Sequence, residues 1–436
     1  MVHGFLQTMI GGDQSDISPA LVSVPGESRG TVRVALAETH AEFVRSGRIQ
    51  VISGRVSSIG SASIRSTTAT ISSGETDVRI DEVDAIVSAT GYTPVTALDF
   101  LADDVRKSLS FDAHSTRLPV LLENCQTSSS AVPELAFIGF YEGPYWPFME
   151  MQARLIAERW LHDAQKIALP FEEPSRMIDL RQAMQSSAPD VPQYWFGDYL
   201  GYMEHNADVL KLHRNDGAFG PRGGCPSPAR YLSVDAKELE DTGIMHDLHR
   251  TWRQCTVDGM FVARAVFRAL QGTWTISRRI SSNDASFNGT LEGTASFHPR
   301  SPTPDKSGER FDLEYLYIEA GSFTSANGMT MTARRRYVYR YSEATDKLSV
   351  WFVKPERDLE VDYLFHGLSF IPPAEAREAG ACVAKADHLC VDDMYYTEYR
   401  LPMNGVSLPR FSIKHAVKGP SKDYIATTQY CRPTRA

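Results

Sequence analysis

From Gly272 onward the chain keeps a hydrophobic period of two, and no other feature narrows its possible folds so far. Side chains of a strand point alternately to opposite faces, so a sustained period of two marks strands with one buried face. Trp274, Ile276 and Ile280 alternate with polar residues, as do Leu291, Ala295 and Phe297, then Phe311, Leu313, Tyr315 and Tyr317. Tyr337, Tyr339 and Tyr341 share one strand face, and further strands are expected near 347–353, 360–366, 386–392, 394–401, 409–417 and 424–432. So many consecutive strands with few helices predict an antiparallel barrel or sandwich, and closing the sheet removes its unpaired edges.

The first half of the 436 residues has a different grain. A helical pattern over 39–46 leads into a strand at Arg48-Ile49-Gln50-Val51-Ile52, and the Ser- and Thr-rich stretch 56–80, punctuated by Gly60 and Gly74, predicts hairpins. Asp84-Ala85-Ile86-Val87-Ser88 is a short apolar run of the kind buried on both faces of an α/β sheet, and Leu135-Ala136-Phe137-Ile138-Gly139-Phe140 is a second. Phe148, Met151, Leu155, Ile156 and Trp160 recur at helical spacing over 148–162, and two more helices are expected over 173–186 and 194–212. Composition and period break across 213–230, at His213-Arg214-Asn215-Asp216-Gly217 and Gly220-Pro221-Arg222-Gly223-Gly224, before helices return over most of 235–270. Length favours more than one domain. The breaks divide the chain into 1–212, a linker and helices over 213–262, and the strand-rich 263–436.

A formal charge of -9 works against a nucleic-acid partner, which calls for clustered Lys and Arg. The run Arg334-Arg335-Arg336 is the local exception; alternation predicts solvated strand surface there, with an anion site as the alternative. No segment approaches the run of about 18 apolar residues that spans a membrane. Residues 1–10 lack the basic and apolar segments of a signal peptide, so a cytoplasmic location is expected. The cysteines at 125, 225, 255, 382, 390 and 431 include no CxxC pair, which favours a reducing compartment over a zinc ribbon or a disulfide framework. His388 and Cys390 share a strand face that His415 approaches from a neighbouring strand, but spacing specifies no fourth ligand and no metal is assigned.

The strand and turn Asp84-Ala85-Ile86-Val87-Ser88-Ala89-Thr90-Gly91-Tyr92-Thr93-Pro94 resembles the ATG motif that closes the dinucleotide-binding part of flavin-containing monooxygenases. Upstream, His40-Ala41-Glu42-Phe43-Val44-Arg45-Ser46-Gly47-Arg48-Ile49 is similar to the helix and strand that enter that region in the family. Downstream, Phe137-Ile138-Gly139-Phe140 followed by Glu150-Met151-Gln152-Ala153-Arg154 resembles its last flavin-side strand and helix, and Pro192-Gln193-Tyr194 with Gly197-Asp198-Tyr199 its C-terminal helical segment. These matches fall in order over about residues 35–212. The resemblance implies a partial α/β flavoprotein, FAD and NADPH as cofactors, and cofactor contacts at Ala89, Thr90, Gly91, Tyr92, Gly143 and Pro144. Gly91 has no Cβ and would let a flat or phosphate-bearing ligand approach, and the Gly143-Pro144 turn would aim N–H groups of the next helix at a flavin edge. Tight strand-to-helix turns explain the same residues equally well. Neither GxGxxG nor a P-loop occurs, so no residue can be named that grips a pyrophosphate, and catalysis by this chain alone is not expected.

Gly272-Thr273-Trp274 resembles the opening of lipocalin-like barrels, in which a basic residue of the last strand packs over the tryptophan; Arg432 is placed for that contact. Residues from about 263 to 432 also resemble an uncharacterised domain family found alone or fused behind flavoprotein oxidoreductases. The residues that carry this are Phe267-Arg268-Ala269-Leu270-Gln271-Gly272-Thr273-Trp274, the set His388, Cys390, Asp393 and Tyr395, and Lys418-Gly419-Pro420-Ser421-Lys422-Asp423-Tyr424. The expected whole is an α+β multidomain protein, a partial α/β flavoprotein followed by an antiparallel lipocalin-like β-barrel. A barrel of roughly eight to ten strands can hold one ligand. Tyr337, Tyr339, His388 and Tyr395 would meet it, since they join apolar surface to polar tips; the alternative is a filled core whose hydroxyls pair internally. Two functions stand at this point: oxidoreductase by resemblance, and non-catalytic binding of a small hydrophobic molecule in the barrel.

Overall fold

The computed structural model describes residues 14–15, 17–22, 37, 40–63, 66–73, 76–89, 95–115, 118–123, 125–140, 146–161, 174–186, 199–217, 219–221, 223–225, 227–232, 243–303, 311–354, 360–376 and 380–433. Contacts divide the chain into two compact units, one of residues 1–25, 35–84 and 253–436, the other of 26–34 and 85–252. The first unit includes a short helix, α1 (His40–Arg45), and an antiparallel meander of β1 (Arg55–Ser63), β2 (Ser66–Ser73) and β3 (Thr76–Val83). These are the hairpins expected of the Ser- and Thr-rich stretch. The strand expected at 48–52 does not form. Gly47, at φ +76°, turns the chain back so that the Ile49 N–H donates to the Phe43 carbonyl of α1 instead of to a strand neighbour.

The second unit holds α2 (Asp103–Ser108), the paired β4 (Ser128–Ser129) and β5 (Val132–Ala136), and helices α3 (Trp146–Leu161), α4 (Pro174–Gln185) and α5 (Tyr199–Val209). Then come the paired β6 (His213–Arg214) and β7 (Tyr231–Leu232), and α6 (Gly243–Arg253). Of the apolar face read from Phe148, Met151, Leu155, Ile156 and Trp160, all but the exposed Trp160 are buried, and Phe148 meets Tyr202 of α5 edge-on at 4.3 Å. Buried Gln152 accepts from the Gly139 N–H at 2.9 Å and donates to the Cys125 carbonyl at 3.0 Å. Between β6 and β7 the Gly-rich segment is tied down by Arg230, which donates to Asp216 at 2.8 Å and to the Gly223 carbonyl at 3.0 Å.

The helices match expectation; the expected α/β sheet is not seen among the described residues. Among the described residues every strand pairing is antiparallel, whereas a dinucleotide-binding sheet is parallel. Residues 84–88, expected as a strand buried on both faces, are irregular and exposed, Val87 at 86%. Burial on both faces needs a strand neighbour on each side, and the meander before this segment pairs only within itself. Of the second apolar run only Leu135 and Ala136 lie in a strand, whose partner is two residues long.

After α7 (Val262–Leu270) come ten strands: β8 (Gly272–Ser282), β9 (Gly289–Arg300), β10 (Leu313–Ser325), β11 (Thr330–Ser342), β12 (Lys347–Val353), β13 (Val361–Phe370), β14 (Ala381–Cys390), β15 (Asp393–Pro402), β16 (Arg410–Lys418) and β17 (Asp423–Cys431). Each pairs with its sequence neighbours, and β17 returns to β8 from Tyr424–Ser282 to Cys431–Thr275, which closes the barrel. Gly293 and Gly321 stand opposite each other in β9 and β10; a Cβ on Gly293 would lie 2.3 Å from the Ala320 carbonyl oxygen, so this close approach requires glycine.

One end of the barrel is sealed. Phe267 of α7 stacks on Tyr315 at 4.1 Å, and the indole N–H of fully buried Trp274 donates to the Leu270 carbonyl at 2.7 Å. The Arg432 guanidinium lies 3.7 Å from the Trp274 ring centre and donates to the Ala269 and Gln271 carbonyls, each at 2.7 Å, so the contact expected from sequence joins the last strand, the first strand and the helix. Arg268 of α7 reaches Glu42 of α1 at 3.4 Å. Replacing Arg432 with Met should keep the stem and lose the charge, lowering the stability of the fold to thermal or urea unfolding by about 2 kcal/mol; Arg432→Lys should restore only part of the loss.

Candidate functional site

The other end leads into a chamber lined by Arg278, Tyr317, Glu319, Arg335, Tyr337, Tyr339, Val350, Phe365, Tyr399, Ile413, His415 and Tyr430. Alternation explains how eight strands reach one space. On β8 the inward series Trp274, Ile276 continues to Arg278, and on β10 the series Tyr315, Tyr317 continues to Glu319. Apolar rings therefore fill the sealed end, and polar tips begin one layer above it. The space left between the side chains is on the order of one or two water molecules.

Arg278 and Glu319 form a bidentate pair at 2.7 and 2.6 Å, both nearly free of solvent contact. Arg278 also donates to Thr428 at 2.7 Å, and the Tyr317 hydroxyl donates to Glu319 at 2.7 Å while lying 3.0 Å from the Tyr430 hydroxyl. A charge this deep persists only when its partners satisfy it. Burial pushes the Glu319 carboxyl up, but hydrogen bonds from Arg278 and Tyr317 and the Arg278 charge hold it below its ordinary value.

A second network surrounds the histidines. His366 Nε2 lies 2.7 Å from the Tyr399 hydroxyl, and His415 Nδ1 lies 2.9 Å from Thr397 Oγ1. Burial, helped by the neighbouring His415 and His388, pushes His366 down to about 3; burial and the charges of Arg278 and Arg335 push His415 down to about 4. Burial raises the phenols of Tyr317, Tyr337, Tyr339, Tyr399 and Tyr430.

Phe365 and His366 both point inward although they are consecutive, because β13 carries a bulge: Val350 pairs with His366 but Trp351 with Leu364. Phe365 contacts Tyr337 at 5.6 Å, Phe352 at 4.9 Å, His388 at 4.9 Å and Tyr395 at 6.2 Å between ring centres. Of the residues expected to meet a ligand, Tyr337 and Tyr339 line the chamber, and His388 and Tyr395 stand behind Phe365. His388, Cys390 and His415 do not belong to a metal-holding cluster among the described residues. Of the Arg334-Arg335-Arg336 run, all are exposed, and Arg335 reaches the lip of the chamber.

Arg278, Glu319 and His366 were not singled out from sequence, yet a signal was present. The inward series Trp274, Ile276, Ile280 has Arg278 at its missing place, and Tyr315 and Tyr317 are followed two residues on by Glu319. A charge in an inward register must find a partner there. Phe365 could not be found this way, since a bulge breaks the period that would locate it.

The flavin expectations fare differently. Thr90, Gly91, Tyr92, Gly143 and Pro144 lie outside the described residues, and Ala89 sits exposed at the end of an irregular segment. FAD and NADPH dock against the carboxyl ends of parallel strands. The described residues hold no parallel strand.

Comparison with known proteins is confined to the barrel. Residues 270–432 match the model of the Family of unknown function (DUF6314), in keeping with the likeness to an uncharacterised domain family. The match does not extend to the residues that resemble flavin-containing monooxygenases. The S-type phycobiliprotein lyase CPES from Guillardia theta is similar at 10% identity over 40% of this chain and 93% of its own, with a TM-score of 0.28, a level that carries no functional argument. None of the curated proteins matches. No helix among the described residues is long and apolar enough to cross a membrane.

Two outcomes follow for stability. With folded-state values below the ordinary value of about 6.5, His366 and His415 bind protons more readily unfolded, so their contribution is complete above about pH 6.5 and is lost as pH falls toward 4 and below. The melting temperature should hold from pH 8 to 7 and fall below about 6.5, less steeply in His366→Gln. Glu319→Gln should strand the Arg278 charge and cost about 3–5 kcal/mol, whereas Arg278→Met with Glu319→Leu should recover much of that loss, as urea unfolding would report.

Proposed function

We propose that the barrel is a binding module for one small molecule and that it acts without catalysing a reaction on it. The observation that carries this reading is the contrast between the two ends: helix, Trp274 and Arg432 seal one, while toward the other lies a chamber with Arg335 at its lip, whose wall bears tyrosine hydroxyls and the neutral imidazole of His415. Tyr337 and Tyr339 meet the ligand in the chamber; His388 and Tyr395 flank its approach. Small-molecule sites combine apolar walls with a few placed polar groups, as this one does.

The absence of catalysis rests on proton chemistry. A general acid or base works best with a pKa near the ambient pH. Here burial holds His366 and His415 neutral down to about 3 and 4, raises the phenols, and leaves Glu319 committed to Arg278. Such groups orient a ligand by hydrogen bonds without exchanging protons with it near neutral pH.

Mass spectrometry of small molecules released on denaturing the purified chain tests the proposal. A compound should come from the wild-type protein and be lost from Val350→Trp, which fills the chamber, with circular dichroism confirming that the variant folds. Equal recovery from a folded Val350→Trp would place the compound elsewhere and refute the reading.

A further inference from the structure

The wall between β13 and β14 is incomplete. Toward the sealed end the two strands pair at Ser369–Lys385 and Phe370–Ala384, and the Ile371 N–H donates to the Val383 carbonyl at 2.8 Å. Toward the mouth this ladder stops, although on their other sides the same strands remain paired, Val353 with Val361 and Cys390 with Asp393. Bulges bend a strand and increase its twist. β13 has two irregularities along its β12 side, one at Phe365 and one between Leu364 and Val361, and these turn it away from β14. The edges 361–368 and 386–390 therefore share no ladder, and side chains fill the interval: the His388 imidazole N–H donates to the Phe365 backbone carbonyl, and the Phe365 ring packs between it and the chamber.

The charged side chains of the chamber are Arg278, Glu319 and Arg335. Arg278 and Glu319 neutralise each other. Arg335 stands opposite Glu319 in the β10–β11 ladder, but both Glu319 oxygens are taken by Arg278, and Arg335 forms no ion pair among the described residues. At the lip Lys422 and Asp393 offset each other at 3.8 Å. One positive charge is left facing the chamber. The other polar groups on the wall, the tyrosines and His415, are uncharged near neutral pH.

Resting on the binding role proposed above, we infer that the ligand is a small aromatic monoanion, a carboxylate on a body of one or two rings, that enters through the β13–β14 seam by displacing Phe365 and places its charge on Arg335. The size follows from the space: the chamber by itself holds on the order of one or two waters, so the room for a ligand is what the displaced phenyl ring vacates plus that small volume. The ring contacts that Phe365 gives up with Tyr337, Phe352 and His388 are the contacts an aromatic body can restore.

The test uses the full chain with 2-naphthoate and its uncharged analogue 2-naphthamide, titrated by fluorescence and followed by stopped flow. The naphthoate should bind about tenfold or more tightly than the amide, and Arg335→Gln should abolish the difference. Phe365→Ala should speed association about tenfold, and a disulfide between Gly367→Cys and Asp387→Cys, two positions beyond the last paired residues Ser369 and Lys385 in the same register, should slow it by a similar factor until reduced. Equal affinity for the two probes would overturn the anionic class while leaving the binding role intact. Association unchanged by both seam variants would put access elsewhere. If neither probe binds the wild type or the more open Phe365→Ala, the aromatic class falls and this inference with it, while the binding role is decided by whether the denatured chain releases a compound.

Discussion

Closing ten strands into one ring creates an interior that ordinary aliphatic side chains do not fill, because barrel diameter grows with strand number. The protein meets this constraint with unusually large groups. Trp274, Phe297, Tyr315, Tyr341 and Phe411 occupy the sealed end, and α7 presses Phe267 in among them. Arg432 then fixes that end, since its guanidinium bonds to the carbonyls where the helix passes into β8 and also covers the indole inside. Without a sealed base the layers above would have nothing to stand on.

Higher in the barrel the same constraint is met with polar groups, and the energetics are different. Replacing a buried ion pair with apolar residues is often neutral or stabilising, so Arg278 and Glu319 are weakly justified as a source of stability alone. Their value lies in direction. A bidentate pair held by Thr428, Tyr317 and Tyr430 fixes where donors and acceptors point inside a narrow space. That makes the polar layer a surface with a defined pattern, which is what recognition requires and a greasy core does not offer. By contrast, the pair Arg340–Glu314 is also fully buried but faces outward from the barrel, where it holds Arg300 at the end of β9 and Thr303 just beyond it.

How much of this could be read in the sequence depended on whether a period survived. Strands that keep alternation over part of their length, such as those through Tyr315 and Tyr339, were legible there, but the structure carries the first on to Ser325 and starts the second at Thr330, beyond Glu319 and Arg335, which interrupt the apolar period; the Trp274–Arg432 contact followed from the order of the strands along the chain. The amphipathic helix over Trp146–Leu161 was legible for the same reason, its apolar residues recurring at helical spacing. The apolar run at 84–88 misled because a short run carries no period and cannot say whether it has strand neighbours. His388 and Tyr395 were noticed for their chemistry, but their place behind Phe365 depends on a bulge that alternation conceals.

The bulge also explains why the polar layer and the open seam coincide. A strand that pairs cleanly on both sides buries alternate side chains and shows only one residue in two to the interior. At Phe365 and His366, β13 shows two in succession, which supplies both a ring to stop the gap and an imidazole to bond Tyr399. The same distortion costs the strand its ladder with β14. Backbone groups left without a ladder are tolerated where they meet water or side chains, so the gap must lie toward the mouth and away from the sealed apolar base. The position of the weak wall is thus set by where the barrel can leave backbone polar groups wet, and that is the level at which the polar side chains face the chamber.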